Sequence, residues 1–417
     1  MLAERAADEA EGRTPWFPAL RHRNFRLFVV GQGLSLVGFW MQSVGQSWLV
    51  YRLSDSPLAL GFVAFAGYLP ILALSPVAGV FVDRTRRRPL LLVTQSLLLL
   101  LALGLGILVA LRVATVGAIV AFAFGVGLVS SIDVPARQAF LVEMTGPADL
   151  PGAIALNSSI FNTARMVGPV MAGVVLGAVG EAACFFVNAA SYVAVLWALL
   201  RMRLPADAPA PPAHALRAEL RSGLEYVWRD RALRDLLLLL GVVGAFGLPY
   251  QVLMPVFART VFAAGPRAYG LLLTAAGVGA VASSLLLASR TPSRDAHRGK
   301  LLDGLVLFAL GVLGLAVTRS LALAVASQVV AGFGMIRYTT TTNTLLQLLA
   351  ADDYRGRVMG LHTVMFLGTA PAGSLLLGGL AERFGAPTAA LVSGAVSLAA
   401  AGSLAVGRRR RAARRAA

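Results

Sequence analysis

One arginine sits inside an otherwise apolar run. Of the 37 Lys and Arg, Arg165 alone falls near the middle of such a segment, with Ser158 and Asn162 on the same helical stripe. A cation at the centre of a bilayer costs about 2.5–3.5 kcal/mol on insertion scales, so it must reach water, a partner or a solute. Two readings follow. Arg165 either makes a structural contact between helices or serves as a cavity cation that meets an anionic substrate or tunes a proton site. His362 is the only histidine in an apolar run. An unperturbed imidazole titrates near pH 6.5, so His362 is either a proton carrier or a polar contact to a neighbouring helix. Asp133, near the inner end of helix 4, is the candidate acid for Arg165, and no Asp or Glu falls at the centre of any apolar run. Gln32, Ser35, Gln42, Ser43 and Gln46, with Phe39 among them, fall within an arc of about 100°. Such a stripe reads as the wall of a water-lined cavity suited to neutral or zwitterionic solutes, or else as a helix contact.

These residues require spanning helices to hold them. The apolar fraction is 57%, only 14% of residues are charged, and the mean hydropathy is +0.74. A soluble domain carries roughly 25% charged residues. Spans of about 20 residues fit roughly at 24–50, 57–82, 89–111, 115–136, 152–179, 182–200, 234–258, 268–289, 300–318, 320–343, 356–381 and 386–407. Apart from Arg165, only Arg52, Arg112, Arg259, Arg267, Arg319 and Arg383 lie in odd-numbered gaps; the other Lys and Arg lie in the even gaps, the termini or the ends of spans that border them. Basic residues are retained on the cytoplasmic side. The alternation therefore predicts an even number of spans, with both termini cytoplasmic.

The expected fold is an all-α polytopic membrane protein with twelve transmembrane helices in two pseudo-symmetric six-helix bundles. Residues 1–23 form a cytoplasmic segment and 24–200 the first bundle. Residues 201–233 form a cytoplasmic linker, 234–407 the second bundle and 408–417 a basic tail. The linker holds a Pro-rich spacer, Ala206 to Ala213, then Leu216, Leu220, Leu224 and Val227 at helical spacing, which reads as an interfacial amphipathic helix. Gly168-Pro169 is echoed by Thr369-Ala370-Pro371, and Gly173 and Gly177 by Gly373, Gly378 and Gly379. Small residues at such spacing let membrane helices approach closely, and duplicated halves around a central site are the build of secondary transporters. Pro249 and Pro255 should interrupt helix 7 and form a gating bend.

Other classes are excluded or disfavoured. The only lysine, Lys300, follows Gly299, but the position a phosphate-binding loop needs as glycine is Arg294. The four histidines have no metal-ligand spacing, and the lone Cys184 reads as a small buried hydrophobe. The net charge of +17 is dealt out loop by loop, which points to anionic lipids at the inner face rather than nucleic acid. The chain is not expected to be an enzyme, nor to need a metal or cofactor.

Gly79-Val80-Phe81-Val82-Asp83-Arg84-Thr85-Arg86-Arg87-Arg88 joins helices 2 and 3. Its Gly-x-x-x-Asp-Arg order resembles the loop signature of the major facilitator superfamily, with Arg86 where a glycine often stands. Gly79, Asp83, Arg84, Arg87 and Arg88 are the matching positions, and Gly79 reads as a close-packing position of helix 2. Asn24-Phe25-Arg26-Leu27-Phe28, Trp48-Leu49-Val50-Tyr51, Asp133-x-Pro135-Ala136-Arg137, Asn162-x-Ala164-Arg165-x-x-Gly168-Pro169 and Arg355-Gly356-Arg357 narrow it further. Together they resemble the branch of enterobactin exporters and macrolide-efflux pumps, across nearly the whole chain. The helix 5 stretch is similar to the antiporter motif of drug exporters, with Ala164 and Ala172 where glycines are usual; Gly168, Pro169 and Gly173 are its packing positions. The resemblance implies the major facilitator fold and proton-driven export of a drug, siderophore or metabolite. It implies a monomer in a bacterial inner membrane, powered by the proton gradient. His362, Asp133 and Arg165 are the candidates for proton coupling. An uptake permease of the same fold, or a non-transporting receptor or scaffold, are the competing readings.

Overall fold

The computed structural model describes residues 18–203, 216–288 and 294–416. The spacer Ala206 to Ala213 lies outside them. Among the described residues every regular element is helical. The long elements are α1 (Arg23–Ser54), α2 (Pro57–Asp83), α3 (Arg87–Ala110), α4 (Val116–Ala178), α5 (Glu181–Arg201), α6 (Leu216–Arg229) and α7 (Arg231–Val242). They continue as α8 (Pro266–Ala288), α9 (Arg294–Val317), α10 (Leu321–Leu349), α11 (Asp352–Leu367), α12 (Ala370–Phe384) and α13 (Ala386–Ala416).

Eleven of the helical stretches are long and apolar enough to cross a bilayer. One of them, α4, runs for 63 residues, more than twice what a span of about 20 residues needs. It is broken at Gly146, where φ is 70° and ψ 168°. That left-handed conformation suits glycine, which has no Cβ to clash. The chain reverses there, and α4 carries spans four and five, giving twelve in all. Both of its arms run several residues past the expected boundaries at 136 and 152. The polar extension is held by Arg87 of α3, which is paired with Glu143. The last helix also continues beyond residue 407 into the basic run.

Span seven, Arg231–Val261, starts at an Asp230 cap whose Oδ1 accepts from the amides of Ala232 (2.7 Å) and Leu233 (3.2 Å). Beyond α7 it passes through a wide π-type turn at Val243–Gly247, a tight 3-10 stretch at Leu248–Leu253 and a second wide turn at Phe257–Val261. Pro249 and Pro255 lack the amide hydrogen that a regular ladder requires, and the turns around them re-register the chain.

The two halves touch at the arginine-poor face. Gly173 of α4 lies against Gly270 of α8, and Gly61 of α2 against Ser374 and Gly378 of α12. These contacts correct the register expected between the halves. Gly168 packs on Val37 and Trp40 of span one, as Gly373 packs on Ala245 and Pro249 of span seven. Gly180 and Gly385, both with positive φ, follow at the same spacing in each half. Pro169 is therefore matched by Ser374, not by Pro371. The prolines misled because each kinks its helix for local reasons, whereas the glycines are fixed by contact.

Polar latches close the same face. Arg259 lies 2.7 Å from Asp55 and over the Tyr51 ring. Glu382 of α12 accepts from the Ser56 hydroxyl (2.8 Å) and the Leu58 amide (3.2 Å) at the start of α2, where a helix N-terminus favours an anion. At the arginine-rich end, α6 docks on α11 through Tyr226, which stacks on Tyr354 at 4.2 Å and accepts from the Ala351 amide. Val227 is buried while Leu224 and Trp228 stay exposed, as an interfacial helix requires. Reporter fusions after residues 52 and 319 should report one side of the membrane, and fusions after residue 203 the other. An identical signal from all three would break the twelve-span topology.

Candidate functional site

The second arm of α4 presents three faces. Ile160, Phe161 and Gly168 meet α1 at Gly33, Val37 and Trp40. Met166, Pro169 and Gly173 meet α8 at Gly277 and Gly270. Arg165 lies on the arc between, with Ser158 exposed, Asn162 half-buried, and Ala172 and Leu176 buried further along the same arc. Neither α1 nor α8 makes a described glycine or ring contact on this arc at Arg165, and the glycine seam between the halves lies just beyond it.

Arg165 is half-buried. Among the described residues it forms no hydrogen bond or ion pair. Its guanidinium is within electrostatic reach of Tyr250 in the opposite half. Tyr250 is buried, donates to Gln328 Oε1 at 2.9 Å and packs edge-on to Phe308. The irregular turn of span seven brings it there. Sequence reasoning passed over Tyr250; the available signal was a Tyr-Gln pair between two prolines in an apolar run.

The polar stripe of α1 divides. Gln42 is buried and accepts from Asn188 Nδ2 of α5 at 2.6 Å. Ser35 is buried, and Gln32 is buried against Leu91, Gln95, Arg137 and Ala198 beside a small void inside the first half. These three do not line the central cavity, contrary to the sequence expectation. The physical reason is a glycine heptad: Gly31, Gly38 and Gly45 bring α5 so close that added Cβ atoms would meet Ala198, Ser191 and Cys184. Polar neighbours of that seam become helix contacts. Ser43 and Phe39 are exposed and Gln46 is half-buried.

Asp133 is buried and paired. Thr94 Oγ1 and Gln95 Nε2 donate to its Oδ1 at 2.7 and 2.8 Å, and Arg137 Nε lies 2.7 Å from its Oδ2. It faces α3, and no described contact joins it to Arg165. His362 is half-buried on α11, with its ring stacked on Phe366. No described contact links it to Asp133 or Arg165, so the three coupling candidates are not one cluster.

The loop after α2 is fastened to its own half. Arg87 pairs with Glu143, and Arg88 donates to the carbonyls of Leu199 (2.9 Å) and Leu200 (3.0 Å) that end α5. Asp83 and Arg84 are exposed. Gly79 has open space around it, as do Gly356 and Gly360 on α11, so the expected close packing at Gly79 is absent here. The reason is the state of the molecule: the halves part at the arginine-rich face while they close at the other. Among the described residues no group of His, Cys, Asp or Glu is placed to hold a metal ion.

Residues 13–415 match the family described as transmembrane secretion effector. The chain is 26% identical over 363 residues to the staphyloferrin A transporter of Staphylococcus aureus, covering 86% of this chain and 90% of that one. It is 27% identical over 367 residues to the multidrug efflux pump Tap of Mycolicibacterium fortuitum, covering 85% and 87%. Its fold superposes on a bacterial homologue of the lysosomal transporter Spinster in its inward-facing, occupied conformation. The TM-score is 0.72 at 13% identity, covering 92% of this chain and 96% of that one.

Proposed function

The chain belongs to the transmembrane secretion effector family of the major facilitator superfamily, and from that premise we propose proton-driven export of small organic molecules by alternating access. It is a multi-pass membrane protein and a secondary transporter. Its relatives are named for a siderophore and for multidrug efflux, and export is carried over from those names as part of the proposal. The observation that carries the reading is the half-buried, unpaired Arg165 on one arc with Ser158 and Asn162, which we read as the wall of a central cavity closed at the arginine-poor face by the glycine contacts between the halves. Arginine-rich loops stay in the cytoplasm, so this state loads from the cytoplasm of a bacterial inner membrane. Arginines along that face would rest against anionic headgroups. The substrate is moved without covalent change.

Everted vesicles energised with an acidic lumen test this. They should accumulate a panel of fluorescent efflux dyes, and a protonophore should discharge them. Accumulation in right-side-out vesicles under an acidic exterior, with none in the everted vesicles, would instead mark an uptake permease.

His362 is the proposed proton carrier, since it is half-buried in a span and the chain offers no central carboxylate. His362→Gln should keep downhill substrate movement and lose its dependence on the pH gradient. If gradient-driven transport is unchanged, coupling lies elsewhere. Asp83 is exposed at the open face, where it can latch the halves only when that face closes. Asp83→Asn should lower transport several-fold at normal expression; full transport would remove the latch.

A further inference from the structure

The charge balance of the cavity defines what it can hold. The α1 stripe that suggested a neutral, amide-lined wall is mostly packed against α5, which leaves Arg165 as the dominant electrostatic feature. Its charge is not neutralised. Asp133 is consumed by Arg137, Thr94 and Gln95, Asp303 by Arg337, Asp55 by Arg259 and Glu143 by Arg87. None of the ion pairs among the described residues includes Arg165. A desolvated, unpaired guanidinium is costly, and here its remaining access is to the cavity. Beside it are the Asn162 amide, the Ser158 hydroxyl and, across the half boundary, Tyr250. Trp40 packs on Phe39 and on Phe161, and Phe161 lies one helical turn before Arg165.

We propose that Arg165 is the substrate-binding cation of the central cavity, and that the preferred substrates are amphipathic organic anions whose carboxylate or other anionic group docks on its guanidinium. The planar fork of arginine matches a carboxylate through two parallel N–H···O bonds. The aromatic group of Phe39, Trp40 and Phe161 takes the apolar body of the solute. Cations are disfavoured because no acid offsets Arg165. This rests on the transport reading above, but it concerns binding alone and does not depend on direction or proton coupling.

Two xanthene dyes of similar frame and opposite charge test it: 5-carboxyfluorescein, an anion, and rhodamine 6G, a cation. Fluorescence polarisation would follow each with the purified full-length protein in lipid nanodiscs. The wild type should bind carboxyfluorescein the tighter of the two. Arg165→Gln should bind it about 10- to 100-fold more weakly, the range expected for losing charge-assisted hydrogen bonds, while its affinity for rhodamine 6G holds or rises. Arg165→Lys should fall between, keeping charge without the fork. A thermal melt of each variant separates lost binding from lost folding. Unchanged carboxyfluorescein affinity in Arg165→Gln, or a wild type that prefers rhodamine 6G, overturns the proposal. Vesicle transport would still decide export independently.

Discussion

Gly270→Leu should hold the arginine-poor face open and reduce transport more than tenfold. A Cβ at residue 270 would stand 2.5 Å from the Pro169 carbonyl oxygen and 3.0 Å from the Gly173 Cα. Both are backbone atoms, so neither can swing aside. Forcing carbon into such a contact costs about 1–3 kcal/mol. Each 1.4 kcal/mol is a factor of ten in population, and here the strain falls only on the closed state of that face. The protein should insert normally and rest in the opposite state. The check is a cysteine placed at Leu176, which is buried just outside the seam. An impermeant maleimide applied at the arginine-poor face should label it slowly in the parent and rapidly with Gly270→Leu. Gly117→Leu, at a site with nothing within 4 Å, should change neither labelling nor transport. Wild-type transport by Gly270→Leu would mean that the glycine contact does not gate this face.

Asp133→Ala should be the most destabilising single change in the first half. It removes the acceptor for Thr94 and Gln95 and leaves Arg137 beside a buried apolar void lined by Leu91, Val195 and Ala198. Breaking a buried ion pair typically costs about 3–5 kcal/mol, largely from the charge left behind. The Arg137 side chain keeps 27% exposure, so its escape toward water places the effect near the lower end. The melting temperature of the purified protein should fall clearly. Adding Arg137→Ala should recover much of the loss, because removing both charges is far cheaper than stranding one. A double variant no better than Asp133→Ala would show that Arg137 is not the source of the cost.

The class, the number of spans and their alternation were legible in the sequence because they follow from local composition. Apolar runs must be long enough for the bilayer, and arginines resist crossing it. The loop after α2 was legible as a signature, although its glycine was expected to pack and instead faces open space. That difference belongs to the conformational state, which composition does not encode. Span seven was read correctly as interrupted, since proline carries its own missing hydrogen bond. What it delivers, Tyr250 bonded to Gln328 in the second half, was not readable, because the two residues lie on different helices.

The α1 stripe shows the boundary most clearly. A helical period places Gln32, Ser35, Gln42, Ser43 and Gln46 on one side of a helix, but it cannot say what that side meets. The sequence by itself determined a twelve-span membrane protein of two halves and one arginine that needed a destination. Only the tertiary structure decided that Gln32, Ser35 and Gln42 are buried, that α3 claims Asp133, and that Arg165 is left without a partner among the described residues. The reason is physical: periodicity is a property of one helix, whereas pairing and solvation depend on which helices touch.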